Sequence, residues 1–125
     1  MKFASVRVVT NDLENLIGFY QNLSGMAASR LAEGFAELHF DGAVLALSSE
    51  QLIKLFNAGA ARAAANHSAI LEFEVMDVDA VFARMQSCGA EIVMPPTTMP
   101  WGNCSLLLRD PDGNLVNIFS RPEGR

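Results

Sequence analysis

The chain has 125 residues, half of them apolar, and a formal net charge of −5. This is enough apolar material to bury one sizeable core, or two small layers, without disulfides or a structural metal. The basic residues form no cluster that would attract phosphates, and no segment approaches the length of a membrane-spanning helix. We therefore expect a single globular domain over residues 1–125 that binds neither nucleic acid nor membrane.

The first predicted module covers about residues 1–48. Alternating apolar residues from Phe3 to Thr10 predict a strand, and Asn11 or Asp12 can cap the helix that follows. That helix should end at Ser24-Gly25. Three short strands are expected next, at about residues 27–32, 35–40 and 43–48.

A helical linker and a second module complete the prediction. Residues 49–67 repeat apolar side chains at helical spacing, which favours a helix docked on a sheet over a mobile lid. Residues 68–121 should then form a strand at 70–75, a helix at 77–88 and strands near 91–94, 104–109 and 115–119. Cys88 and Cys104 lack zinc-like spacing and are expected to be small core residues, not a disulfide or a catalytic thiol.

The two modules resemble each other in sequence. The run that begins Asp41-Gly42 and ends at Leu47 is similar to the run that begins Asp112-Gly113 and ends at Ile118. The strand and helix from Val6 also have a counterpart that starts at Leu71, at a constant offset. This repeat predicts an α+β fold of two βαβββ modules in tandem, related by a pseudo-two-fold axis, with mixed sheets curved into a cup.

These features together resemble the vicinal oxygen chelate superfamily, which includes glyoxalase I, extradiol dioxygenases and fosfomycin- and bleomycin-resistance proteins. The resemblance rests on the paired modules, the Asp-Leu-Glu-x-x-x-x-Phe-Tyr pattern that begins at Asp12, the segment at 73–80 and the turn Asp110-Pro111-Asp112-Gly113-Asn114. It covers nearly the whole chain. A fold of this kind supports several chemistries, so the function must be argued from the site.

The resemblance implies four metal-ligand positions, on the first and last strand of each module. Counting from the shared aspartates places Ser5, Ala46, Ile70 and Asn117 at these positions. A divalent ion of this type prefers imidazole or carboxylate ligands, which these four side chains cannot supply. We therefore predict no metal and no other cofactor.

Strand alternation indicates which side chains would line the cup instead. If the four positions above face inward, Arg7, Glu72, Glu74 and Phe119 share that orientation. Arg7 and Glu72 are equivalent in the repeat, and the resemblance implies that the first strands of the two modules lie side by side. An ion pair between them is therefore expected, either as a structural contact or as an anchor for a ligand. Glu74 is a candidate general base if burial raises its pKa.

Trp101 is the only tryptophan and lies in a Pro- and Met-rich segment at 94–103. A large aromatic residue between Pro100 and Gly102 can stack on a ligand or pack against a helix or a dimer partner. The resemblance places such a segment at the border of the ligand groove in bleomycin-resistance-like proteins.

The preferred interpretation is a cytoplasmic homodimer that binds a small organic molecule without metal, such as a toxic or antibiotic compound that it sequesters. The predicted ligand-binding residues are Ser5, Arg7, Ala46, Ile70, Glu72, Glu74, Trp101, Asn117 and Phe119. No catalytic residue is assigned. Two alternatives stay open, which are a lyase, isomerase or dioxygenase of the same superfamily and a non-catalytic interaction or regulatory domain.

Overall fold

The computed structural model describes residues 1–122, and the chain divides into two compact units, Met1–Ala65 and Asn66–Arg125. Unit 1 contains β1 (Val6–Thr10), α1 (Leu13–Ser24), β2 (Ser29–Ala32), β3 (Phe35–Phe40), β4 (Ala43–Ser49) and α2 (Glu50–Phe56). Unit 2 contains β5 (Ile70–Glu74), α3 (Val78–Ser87), β6 (Glu91–Thr98), β7 (Cys104–Arg109) and β8 (Leu115–Ser120). The predicted α+β class with tandem βαβββ modules is confirmed.

The two sheets have the same topology. The strand order is β1-β4-β3-β2 in unit 1 and β5-β8-β7-β6 in unit 2. In each sheet the first and last strands of the module pair in parallel, and the remaining pairs are antiparallel. Parallel neighbours need a crossover connection, which begins with α1 in unit 1 and with α3 in unit 2. The first and last strands of each module, β1 with β4 and β5 with β8, therefore lie side by side.

Each crossover helix starts at the aspartate that the sequence predicts. The Asp12 carboxylate accepts a hydrogen bond of 3.1 Å from the Asn15 amide, and Asp77 accepts one of 3.0 Å from Ala80. Such a cap satisfies amides that have no partner inside the helix and contributes about 1 kcal/mol. The buried residues of α1 are Leu16, Ile17, Tyr20 and Leu23. Those of α3 are Val78, Val81 and Met85.

Strand β6 is longer than predicted, because it continues through Pro95 and Pro96 to Thr98. Proline has no amide hydrogen to donate to a ladder, which favours a loop assignment from sequence alone. β6 lies at the edge of its sheet, and its register shifts between Met94 and Thr97, so the prolines interrupt no central ladder. The predicted end of this strand near Met94 is therefore wrong, and only residues 99–103 connect β6 to β7.

Helix α2 packs against β4 and β1 of unit 1. The Ser49 hydroxyl caps it by accepting a hydrogen bond of 3.3 Å from the Leu52 amide, and Ile53 is buried. The helix ends at Phe56, and two of the residues that follow, Ala58 and Ala64, have positive φ. None of the helices among residues 1–122 is long and apolar enough to cross a membrane.

Candidate ligand-binding site

The sheet of unit 2 has two chemically different faces. One face is apolar and packs against α3; its members Val116, Ile118, Leu106 and Leu108 are all at most 1% exposed. The opposite face, here called the Asn117 face, consists of Ile70, Glu72 and Glu74 of β5, Leu115, Asn117 and Phe119 of β8, and Ser105, Leu107 and Arg109 of β7. The three β5 residues of this face are exposed, since no helix of unit 2 covers them.

Strand register arranges the Asn117 face in rows. Glu72 lies directly opposite Asn117, which lies opposite Leu107. A second row joins Glu74 and Phe119. Side chains that are directly opposite on neighbouring strands lie about 5 Å apart, so each row forms a continuous surface. A third row pairs Ile70 with Leu115, and five predicted ligand residues, Ile70, Glu72, Glu74, Asn117 and Phe119, therefore share one face of one sheet.

Two arginines pair with two carboxylates, Glu74 on this face and Glu91 beside it on β6. Arg121 Nε lies 3.3 Å from Glu74 Oε2, and the guanidinium also lies over the Phe119 ring, 5.6 Å from its centroid. Arg109 Nε lies 3.6 Å from Glu91 Oε2, on the row that ends at β6. All four charged side chains are at least 38% exposed, so each pair contributes little to stability.

Asn117 lies at the centre of the face, and its side-chain oxygen is the notable polar atom there. Its side-chain oxygen is buried and has no hydrogen-bond partner among residues 1–122. Leaving a buried polar group without a partner costs about 1–3 kcal/mol, so such a group in a folded protein calls for a specific reason. Asn103 Oδ1, immediately before β7, is also buried and has no hydrogen-bond partner among residues 1–122. A bound molecule that donates a hydrogen bond would remove the cost at Asn117.

The predicted residues of unit 1 lie along β1 and β4. Ser5 is exposed and immediately precedes β1. Arg7 is also exposed, and its Nη2 donates a hydrogen bond of 3.1 Å to Asn57 Oδ1 at the end of α2. Ala46 pairs with Arg7 in the ladder but is only 1% exposed. The expected Arg7–Glu72 ion pair would join the two units, and it stays a prediction.

Trp101 is 64% exposed and sits in a hydrogen-bonded turn. The Met99 amide donates to the Asn103 carbonyl at 2.7 Å, and the Gly102 amide donates to the Met99 carbonyl at 2.9 Å. Gly102 has φ +100°, and a Cβ at this position would lie 2.7 Å from Pro122 Cγ. The glycine is therefore required here, and the turn holds the indole at the surface.

The side chains at the implied metal positions do not fit a divalent ion. Ala46 and Ile70 present only alkyl groups, and Asn117 offers a single amide oxygen. Within residues 1–122, no group of three or more His, Cys, Asp or Glu side chains is placed to hold a metal. His39 is not part of such a group; its Nε2 lies 3.0 Å from Glu37 Oε1 on the same strand, β3.

Sequence reasoning missed the two arginines of the Asn117 face, although alternation past Phe119 places Arg121 on the same side as Glu74. It also missed Leu107, because the partner of Asn117 on β7 depends on register.

A shallow polar groove in unit 1, lined by Glu50, Lys54 and Arg62, contains none of the predicted ligand residues.

Comparisons with known proteins agree with the fold. The model of the Glyoxalase/Bleomycin resistance protein/Dioxygenase superfamily matches residues 2–118. The uncharacterized protein YraH of Bacillus subtilis is 26% identical over 95% of this chain and 98% of its own length. A glyoxalase/bleomycin resistance protein/dioxygenase from Nocardioides is 26% identical, with a TM-score of 0.79 over 100% of this chain and 86% of that one. A family enzyme from Burkholderia phytofirmans is 18% identical, with a TM-score of 0.83 over 96% and 98% of the two chains. The chain belongs to the glyoxalase/bleomycin resistance protein/dioxygenase superfamily.

Proposed function

We propose that the protein binds a small, partly apolar organic molecule on the Asn117 face, without a metal and without covalent chemistry. The observation that carries this proposal is the unpartnered Asn117 oxygen on a sheet face that α3 leaves uncovered. Binding sites for small molecules are mostly apolar surfaces with a few polar groups that fix orientation. Ile70, Leu115 and Leu107 supply the apolar surface around Asn117.

Retention without turnover suits this set of side chains. The shared electrophile of the metal-dependent members is a divalent ion, and its positions here carry Ser5, Ala46, Ile70 and Asn117. Glu74 is the nearest candidate for a metal-free base, but its carboxylate is already engaged in an ion pair with Arg121. Sequestration of a toxic or antibiotic compound is a role that needs affinity alone.

A ligand screen with a matched pair of variants tests the proposal. Ile70 on the Asn117 face and Val93 on the edge strand β6 have nearly equal exposure, 47% and 46%. Compounds would be detected by thermal shift, since a ligand that binds only the folded state stabilises it by RT ln(1 + [L]/Kd). We expect Ile70→Gln to weaken binding about 5-fold or more and Val93→Gln to leave it unchanged.

Equal effects of the two variants would show that the ligand binds elsewhere. Elemental analysis of the protein purified without chelator provides the second arm. Stoichiometric metal, or a large stabilisation by one added divalent ion, would contradict metal-free binding. If one-dimensional NMR showed that the protein converts a bound compound to a product, the protein would be an enzyme.

A further inference from the structure

The charges of the Asn117 face leave one carboxylate without a cation. The face and the neighbouring edge position on β6 carry three glutamates, and two of them pair with arginines at the ends of the face, Glu74 with Arg121 and Glu91 with Arg109. The remaining one, Glu72, forms no ion pair with any described residue of unit 2. It is also the central one, because it lies opposite Asn117 in the middle row.

The row that begins at Glu72 becomes apolar across the sheet. From Glu72 it passes to Asn117, then to Leu107 on β7 and Met94 on β6. Adjacent strands are about 4.8 Å apart, so the carboxylate and the Leu107 side chain are separated by about 10 Å. A molecule with a charged group at one end and a fused ring or similar apolar body at the other spans this distance.

The hydrogen-bonding groups of the row favour a donor. Glu72 can only accept while it is ionised, and the Asn117 oxygen is an acceptor without a partner. Rotation about the last side-chain bond of Asn117 is soft, which lets the amide oxygen turn toward a ligand. A carboxylate ligand would face Glu72 with like charge, and a neutral amide would leave the charge of Glu72 uncompensated.

We infer that the ligand is an organic cation, with an ammonium, amidinium or guanidinium group that donates to Glu72 and Asn117 and an apolar body that lies toward Leu107 and Met94. This inference rests on the proposed binding function and adds the chemical class of the ligand. The cation would pair with Glu72 as Arg121 pairs with Glu74 and Arg109 with Glu91. Charge-assisted hydrogen bonds of this kind are stronger than those between neutral groups.

Three probes of one shape separate the possibilities. The 2-naphthamidinium cation, neutral 2-naphthamide and the 2-naphthoate anion share a ring system and differ in charge. Each would be titrated into isotope-labelled protein, and amide shifts would be followed by heteronuclear NMR. We expect the amidinium to shift resonances of β5, β7 and β8, and to bind at least about 5-fold more tightly than the amide, with an affinity that falls as salt is added.

Glu72→Gln and Glu91→Gln form the matched variants, since both change an exposed glutamate, and Glu91 lies on the edge strand β6 and is already paired with Arg109. We expect Glu72→Gln to weaken amidinium binding about 3- to 10-fold and Glu91→Gln to change it less than 2-fold. An amide or naphthoate that binds this face as tightly as the amidinium would overturn the cation inference and leave the binding function intact. If no probe and no compound of the wider screen shifts this face, both proposals are wrong.

Discussion

The turn between β7 and β8 supports a quantitative prediction about the stability of unit 2. Asn114 is 4% exposed; its Nδ2 donates to Asp110 Oδ2 at 2.8 Å, and its Oδ1 accepts a hydrogen bond of 3.1 Å from Asn66 Nδ2. Asp110 is 5% exposed, so water cannot readily replace the lost donor. Asn114→Ala removes one hydrogen bond to a charged group, worth about 1.5–3 kcal/mol, and one between neutral groups, worth about 0.5–1.5 kcal/mol.

We therefore expect Asn114→Ala to lower the free energy of unfolding by about 2–4 kcal/mol. Urea denaturation followed by Trp101 fluorescence measures this, because the only tryptophan of the chain lies in unit 2. Asn15→Ala is the control, since Asn15 is exposed on α1 and the same atoms are removed. Its effect should stay within about 0.5 kcal/mol. A loss at Asn114 no larger than that at Asn15 would refute the role assigned to the turn.

Three further predictions concern α2, the Trp101 turn and an exposed ion pair. Ile53→Ala should destabilise the protein by about 2–5 kcal/mol in chemical denaturation, because the side chain is 1% exposed between α2 and the sheet of unit 1; a loss below about 1 kcal/mol would mean that α2 is not docked. Trp101→Ala should make the binding free energy of an aromatic ligand about 1–3 kcal/mol less favourable in calorimetry if the indole stacks on the ligand, and unchanged affinity would exclude stacking. Hydrogen bonds of 2.6 and 2.9 Å from Arg30 hold the pKa of Glu14 below its usual range. The small stabilisation from this pair should be present above the unfolded pKa of the carboxyl and be lost as the pH falls through its lower folded pKa, so the melting temperatures of wild type and Glu14→Gln should converge in acid.

Local chemistry explains why most of the fold could be predicted. Capping aspartates, turn glycines and strand alternation act within a few residues, so Asp12, Gly25 and Asp77 mark helix ends that the structure reproduces. The strand at Phe35–Phe40 has the predicted bounds for the same reason. Strand β6 departs from prediction because its tolerance of Pro95 depends on its edge position, which is a property of the sheet and not of the segment.

The site was predictable only in part. Alternation was sufficient to place Glu72 and Glu74 on one face of β5, because it requires no knowledge of strand order. Asn117 was assigned to the same face through the metal positions that the family resemblance implies, and the register of β5 and β8 agrees. Which charges are neutralised depends on pairs such as Glu74 with Arg121, which are 47 residues apart in sequence and meet only through the folded sheet. The unpartnered oxygen of Asn117 is likewise a property of packing, and no sequence pattern indicates it.

The central claim is that a small molecule binds the Asn117 face without a metal. The most direct test maps amide shifts by NMR in protein dialysed against chelator, as the tightest compound from the ligand screen is added. We expect saturable shifts centred on Glu72, Asn117 and Leu107, with no dependence on added divalent ions. Binding that appears only after a metal is restored, or shifts confined to unit 1, would contradict it.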